Sequence, residues 1–288
     1  MQIIRSKVLG YCNGVSRVIE LALECVDRAH KEGRNAYTIG WFIHNPHVVA
    51  RFEAQGMKHI DSPQGHEPGI ALIRAHGIPD TLRNEFLEAH FTLLDGTCGT
   101  VAYSQQLVRD VRDDQQVIII GLKNHSEVVA LSGVLRKEGQ EVPVIVIESE
   151  EDFIQIDPHS TKELLCVVQT TFESDIYEHL INRLKETFGQ KVVFANRLCP
   201  STKRRHDALL QIMKVVDAVL VVGGKMSANT AALAQVVKDG NIPVWHIEGV
   251  EHIPDEIFSF EKVGVTAGTS TPEEDIRAII EVLEGSTH

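Results

Sequence analysis

Short β-branched runs alternate with longer amphipathic stretches along the whole chain, and each run ends in Gly, Asn, His or Cys. Such repeated strand-then-helix patterning predicts an α/β protein with parallel sheet covered by helices. The clearest expected strands are 71–74, 117–121, 164–169, 218–222 and 263–266. In open parallel sheets ligands gather where the strands end, so the residues after each run carry the functional information.

Three cysteines share one local setting. Residues 2–8 lead to Cys12 and then to the helical spacing of Val15, Val18, Ile19, Leu21 and Leu23. Residues 91–94 lead to Cys98 and the apolar positions from Val101 to Val111; residues 191–194 lead to Cys199 and then Leu209, Leu210, Ile212 and Met213. Two further turns follow each cysteine in matching order. The middle turns hold His44, His125 and Ser227, and the last turns hold His76, Thr170 and Ser270. Three α/β units related by a pseudo-threefold axis are therefore expected, each bringing one cysteine to a common centre. The expected domains are 13–97, 98–196 and 197–288, with an N-terminal strand in 1–12 joined to the third.

Three convergent thiolates suit zinc with a fourth ligand, or an iron-sulfur cluster with one iron free of protein. The alternative is that all are small buried hydrophobes. No CxxC pair is present, and five cysteines are an odd number, so neither a local zinc loop nor a disulfide framework explains them. Cys25 on an apolar helix face and Cys166 inside a strand are expected to pack in the core. A net charge of −12 gives no broad footprint for nucleic acid. No apolar run is long enough to span a membrane and no secretory signal is evident, so a cytoplasmic protein is expected. Gly223-Gly224-Lys225-Met226-Ser227 lacks the spacing of a phosphate-binding P-loop. The basic run Lys203-Arg204-Arg205-His206 is expected to form a helix face, with docking of an electron donor as the lesser alternative.

The motifs Tyr11-Cys12-Asn13-Gly14-Val15, Ile43-His44-Asn45, Arg74-Ala75-His76-Gly77, Gly96-Thr97-Cys98, Asn124-His125-Ser126-Glu127-Val128, Gln169-Thr170-Thr171, Cys199 and Gly264-Val265-Thr266-Ala267-Gly268 occur in that order. In this the chain resembles the LytB-type 4-hydroxy-3-methylbut-2-enyl diphosphate reductases over nearly its whole length. The resemblance implies three small parallel-sheet α/β domains around a central [4Fe-4S] cluster with an open iron. Cys12, Cys98 and Cys199 match its ligands. His44, His76, His125, Ser227, Asn229 and Ser270 match residues around the diphosphate, and Glu127 and Thr170 match those that hold and protonate the leaving hydroxyl.

The implied reaction is reductive dehydroxylation of the allylic diphosphate to isopentenyl and dimethylallyl diphosphates, the closing step of the non-mevalonate isoprenoid route. It implies a low-potential electron donor such as flavodoxin or ferredoxin. Several positions depart from the family pattern: Gly99 stands where Pro is usual, Ser126 replaces Pro, Ala228 replaces Ser and His206 replaces Gln. Two alternatives follow, a LytB-like iron-sulfur paralogue reducing or dehydrating another small molecule, and a non-catalytic metal or iron-sulfur binding protein.

Overall fold

The computed structural model describes residues 1–285. The chain opens with β1 (Gln2–Arg5), α1 (Asn13–Glu32), β2 (Ala36–Ile39), α2 (Pro46–Ala54), β3 (Met57–Ile60), β4 (Ile70–Ile73), α3 (Asp80–Glu88) and β5 (Thr92–Asp95). It continues with α4 (Gly99–Arg109), β6 (Gln115–Ile120), α5 (Ser126–Ser132), β7 (Val144–Ile147), β8 (Glu163–Val168), α6 (Ser174–Phe188) and β9 (Val192–Phe194). The last stretch holds α7 (Pro200–Met213), β10 (Ala218–Val222), α8 (Ala228–Asp239), β11 (Val244–Ile247), β12 (Lys262–Ala267) and α9 (Glu273–Gly285).

These elements form two compact units. One contains Met1–Ser16, Ile43–Arg51 and the chain from Pro200 onward; the other contains Arg17–Phe42 and Phe52–Cys199. The first unit has one four-stranded parallel sheet in the order β1-β12-β10-β11. The second has two, in the orders β3-β2-β4-β5 and β7-β6-β8-β9, also parallel throughout.

The three sheets share one plan. The strand that leads into a cysteine always pairs with the last strand of the preceding repeat: β5 with β4, β9 with β8, and β1 with β12. Alternation along the inner strands then fills both faces. Ile118, Ile120, Cys166 and Val168 pack with Leu180 and Leu184 of α6, whereas Val117, Ile119, Leu165 and Val167 pack with Val108 of α4 and Leu131 of α5. In the first unit Leu220, Val222, Val265 and Ala267 meet Ile276, Ile279 and Leu283 of α9, while Val219 and Val221 meet Leu209, Ile212 and Leu233. Burial on both faces is why these strands read as continuous apolar runs.

The five clearest expected strands are β4, β6, β8, β10 and β12, with ends displaced by no more than two residues. The run expected over 2–8 is strand only to Arg5, because residues 6–10 leave the sheet to reach Cys12. The edge strands β3, β7 and β11 have no counterpart in the sequence reading. Each has only four residues, and their half-buried positions give weak periodicity.

A glycine follows the middle strand of each sheet at Gly40, Gly121 and Gly223, and its amide bonds the edge strand. At Gly121 a side chain has no room: an added Cβ would lie 2.7 Å from Cβ of Gln169 and 2.8 Å from Cγ2 of Val128. Gln169 in turn accepts the Leu122 amide at 2.9 Å, so the glycine lets one turn brace the next. Gly121→Ala is expected to destabilise the chain by about 1–3 kcal/mol, the scale of overpacking. Urea unfolding should show a lower midpoint at unchanged slope; an unchanged midpoint would mean that the Gln169 contact yields freely.

Candidate functional site

Each of the three repeat cysteines is tied by its amide to the last turn of the preceding repeat. Cys98 N donates to Ala75 O at 2.9 Å and Cys199 N to Thr170 O at 2.8 Å, both in the second unit; Cys12 N donates to Thr269 O at 3.3 Å in the first. Their carbonyl ends begin helices: Ser16 N bonds Cys12 O, Ala102 N bonds Cys98 O, and Pro200 opens α7 directly after Cys199. Pro suits that position because its missing N–H is one that the first turn leaves unpaired.

All five cysteines are unbridged thiols, but the three repeat cysteines are partly exposed whereas Cys25 and Cys166 are buried. Cys25 faces the carbonyls of Tyr37 and Ile70, and Cys166 that of Leu164. Burial pushes the Cys25 thiol up to about 11 and the Cys166 thiol up to about 12, so both stay protonated and structural. Among the described residues no three His, Cys, Asp or Glu side chains cluster closely enough for a single metal ion. A cubane cluster, unlike one ion, holds its thiolates well apart on separate irons.

In the second unit Glu127 is wholly buried at the start of α5. Its Oε1 accepts the Thr170 amide at 2.8 Å and its Oε2 accepts the Thr170 hydroxyl at 2.9 Å. Thr170 O is the acceptor for Cys199 N, so one residue joins the carboxyl group to the cysteine loop. Among the described residues no Lys or Arg pairs with the carboxylate. Desolvation outweighs the two Thr170 bonds and pushes the Glu127 pKa up to about 7, which suits a group that must exchange a proton near neutrality.

His125 caps α5, and its Nδ1 accepts the Glu127 amide at 3.2 Å. In the neutral ring the proton therefore sits on Nε2, which makes that atom the donor. The His76 ring meets the His125 ring edge-on, with centroids 5.2 Å apart. Glu127, Thr170, His125 and His76 are thus linked through adjoining turns.

In the first unit the turn at His44 is pinned to the turn at Ser270. The Ser270 hydroxyl donates to His44 O at 3.3 Å and Asn45 Nδ2 donates to Ser270 O at 3.2 Å. Gly224 lies against the same strip, where a Cβ would stand 2.1 Å from His44 O. Ser227 caps α8 by accepting the Thr230 amide at 3.4 Å, which leaves its hydroxyl proton to donate elsewhere. Asn229 is 3 % exposed, yet among the described residues neither its Nδ2 nor its Oδ1 has a hydrogen-bond partner. A buried amide left so costs on the order of 1–3 kcal/mol unless a polar ligand completes it.

The expected site residues therefore fall into two sets. Cys12, His44, Ser227, Asn229 and Ser270 belong to the first unit, and Cys98, Cys199, His76, His125, Glu127 and Thr170 to the second. Two residues with a part in holding these turns were not anticipated. Asn45 lies in the motif Ile43-His44-Asn45, and an Asn before a helix signals a cap; its Oδ1 accepts the Val48 amide. Arg205 was expected on a basic helix face and is instead 2 % exposed. Its spacing from Leu209 and Ile212 places it on the buried side of α7, a signal that its charge obscured.

Comparison with known proteins bears on this geometry. A family model described as LytB protein matches residues 3–284. The 4-hydroxy-3-methylbut-2-enyl diphosphate reductase of Treponema denticola is 35% identical over 282 residues, 95% of this chain and 96% of that protein. The solved reductase of Plasmodium falciparum superposes with a TM-score of 0.87 at 25% identity, covering 98% of this chain and 87% of that one. A second solved structure, (E)-4-hydroxy-3-methyl-but-2-enyl diphosphate reductase, the terminal enzyme of the non-mevalonate pathway, gives 0.69 at 29% identity over 99% of each chain.

The raised Glu127 pKa has a consequence for stability. Between its ordinary value near 4.5 and about 7 the native chain holds a proton that the unfolded chain has lost. Stability contributed through this group is therefore present below about 4.5 and is lost as pH rises to about 7. The difference in unfolding free energy between wild type and Glu127→Gln should shift by on the order of 3 kcal/mol across that window, in favour of the variant as pH rises. Urea titrations of both proteins at several pH values check this; parallel pH profiles would place the Glu127 pKa near its unfolded value.

Proposed function

The chain belongs to the LytB family, and we propose that it is a reductase removing the hydroxyl group of 4-hydroxy-3-methylbut-2-enyl diphosphate to give isopentenyl and dimethylallyl diphosphates. The observation that carries the reading is the buried Glu127 carboxyl, cation-free and joined through Thr170 to the Cys199 loop. Overall, two electrons and two protons enter, the allylic C–O bond breaks, and water leaves. Glu127 supplies the proton that lets the departing oxygen leave as water, and Thr170 orients the carboxyl through both of its donors.

Cys12, Cys98 and Cys199 are the residues proposed to hold a [4Fe-4S] cluster. Their fit rests on three partly exposed, unbridged thiols, each on a loop secured by its own amide. Three such ligands leave one iron open, and the bound cluster supplies low-potential electrons together with a Lewis-acidic site for the hydroxyl oxygen. The electrons are proposed to come from a flavodoxin- or ferredoxin-type donor.

The diphosphate falls to His44, His76, His125, Ser227, Asn229 and Ser270. In a chain of net charge −12 these hydroxyls, one amide and histidines offer directed hydrogen bonds, to which the positive ends of α2 and α8 add. Asn229, whose buried amide lacks a protein partner, supports that role. The proposed domain limits are 13–97, 98–196 and 197–288, with strand 1–12 completing the third. Relatives bearing the reductase name favour this activity over a paralogue acting on another molecule. A purely structural cluster would also give no reason to bury a cation-free carboxyl.

Anaerobic reconstitution followed by assay with the diphosphate tests the reading. Wild type should bind one oxygen-sensitive cluster and turn over, while Cys12→Ser, Cys98→Ser and Cys199→Ser should each impair the cluster and Cys25→Ser and Cys166→Ser should not. Glu127→Gln should keep the cluster and lose turnover by roughly 10²-fold or more. A loaded wild-type protein that neither binds nor reduces the diphosphate would overturn the proposal. Ala228→Ser, which restores one hydroxyl at the α8 N-terminus, should tighten substrate binding by about one hydrogen bond, on the order of 1 kcal/mol.

A further inference from the structure

The helix that follows each repeat cysteine carries, five or six residues on, a polar side chain that reaches the loop of the next cysteine. Arg17, after Cys12, donates to Thr97 O at 2.9 Å and Asp95 O at 3.1 Å, just ahead of Cys98. Ser104, after Cys98, accepts from Asn196 Nδ2 at 2.8 Å, just ahead of Cys199. Asn196 also spans Val168, accepting its N–H at 2.7 Å and donating to its C=O at 2.9 Å, so the Cys199 loop continues the edge of β8. Arg205, after Cys199, donates to Val8 O at 3.3 Å and to Gly10 O, just ahead of Cys12, and to Ala267 O at 3.0 Å. The cycle closes on itself.

The chemistry of Arg205 sets it apart. It is a buried guanidinium with three carbonyl acceptors and, among the described residues, no carboxylate partner. Gly10, one of those acceptors, has φ +71° and so makes a sharp turn two residues before Cys12. A rigid planar fork that grips both Val8 and Gly10 holds this turn in one shape, which a flexible ammonium could not do as well.

We propose that Arg17, Ser104 with Asn196, and Arg205 are positioning residues, one for each cluster cysteine, and that each holds the loop of the cysteine after its own. This rests on the assignment of Cys12, Cys98 and Cys199 as ligands. It goes beyond that assignment by saying what holds the ligands in place and in what order. Ligand loops braced from a neighbouring helix are pre-arranged for the cluster, in the manner of outer-shell residues around other metal sites.

The test is site-resolved. Reconstituted wild-type, Arg17→Met, Ser104→Ala, Arg205→Met and Arg205→Lys proteins are pulse-alkylated anaerobically, and labelling of each cysteine is read by mass spectrometry, with iron release to a chelator followed in parallel. Arg205→Met should speed labelling of Cys12 about tenfold, a factor of ten corresponding to ~1.4 kcal/mol. Arg17→Met should speed labelling of Cys98, and Ser104→Ala that of Cys199, by about threefold each, because each removes fewer or weaker bonds. Arg205→Lys should recover part of the protection at Cys12, and the reduced cluster of Arg205→Met should give an altered paramagnetic resonance signal. Equal acceleration at all three cysteines, or acceleration only at the cysteine preceding the altered helix, would overturn the proposal. Wild type that takes up no cluster would count against the ligand assignment, and the order of thiol labelling in the same chains would still decide whether the braces act as described.

Discussion

The bond from each repeat cysteine's amide to the last turn of the preceding repeat is the contact on which the arrangement of the site residues depends. Cys98 N to Ala75 O, Cys199 N to Thr170 O and Cys12 N to Thr269 O are the same hydrogen bond made three times. Each extends a strand pairing, β5 on β4, β9 on β8 and β1 on β12, past the point where the ladder ends. The consequence is that a cysteine and the turn beside it move as one. Thr170 shows what this achieves, since its carbonyl holds the Cys199 loop while its amide and hydroxyl hold Glu127.

Electrostatics at Glu127 follow from the same packing. Burial in the absence of a cation favours the neutral acid, and the two Thr170 donors favour the anion; burial wins and leaves the group balanced near neutral pH. An Arg or Lys at this position would have made Glu127 a permanent anion and a poor proton donor. The Asn229 amide has the complementary character: it is buried at a helix start without a protein partner and so suits a polar ligand. Both depart from the rules of a well-satisfied core, which is where function is expected to show.

Sequence patterning carried much of the fold. The inner strands β4, β6, β8, β10 and β12 were legible because both of their faces are buried, which yields unbroken β-branched runs such as Val117–Ile120 and Ala218–Val222; the equally buried inner strand β2, with the sequence Ala-Tyr-Thr-Ile, lacks such a run and has no counterpart in the expected strands. The turns after them were legible because each repeat places its polar residues in the same order. The edge strands β3, β7 and β11 were not, since four residues with one half-covered face give too short a pattern to stand out. At the site, residue types announced the cysteines, histidines and Glu127, but the bracing residues were silent. Arg205 sits in a run of basic residues whose charge suggests solvent, although its register with Leu209 and Ile212 points inward. Asn196 has no neighbours in sequence that mark it; its role comes from Val168 and Ser104, which are distant in the chain.

The sheet of the first unit is assembled from the two ends of the chain. β1 pairs in register with β12, Ile3 opposite Val263 and Arg5 opposite Val265, so its ladder joins residues far apart in sequence. Closing so long a loop costs conformational entropy before the pairing repays it. The other two sheets need no such closure, because β5 and β9 each follow their partners in sequence. Thus Cys98 and Cys199 find their amide partners in the repeat just before them in sequence, whereas Cys12 needs Thr269 and the turn at Gly10 needs Arg205, both far along the chain. The turn at Cys12 therefore takes shape only when residues far apart in sequence have met, and that dependence follows from pairing β1 with β12.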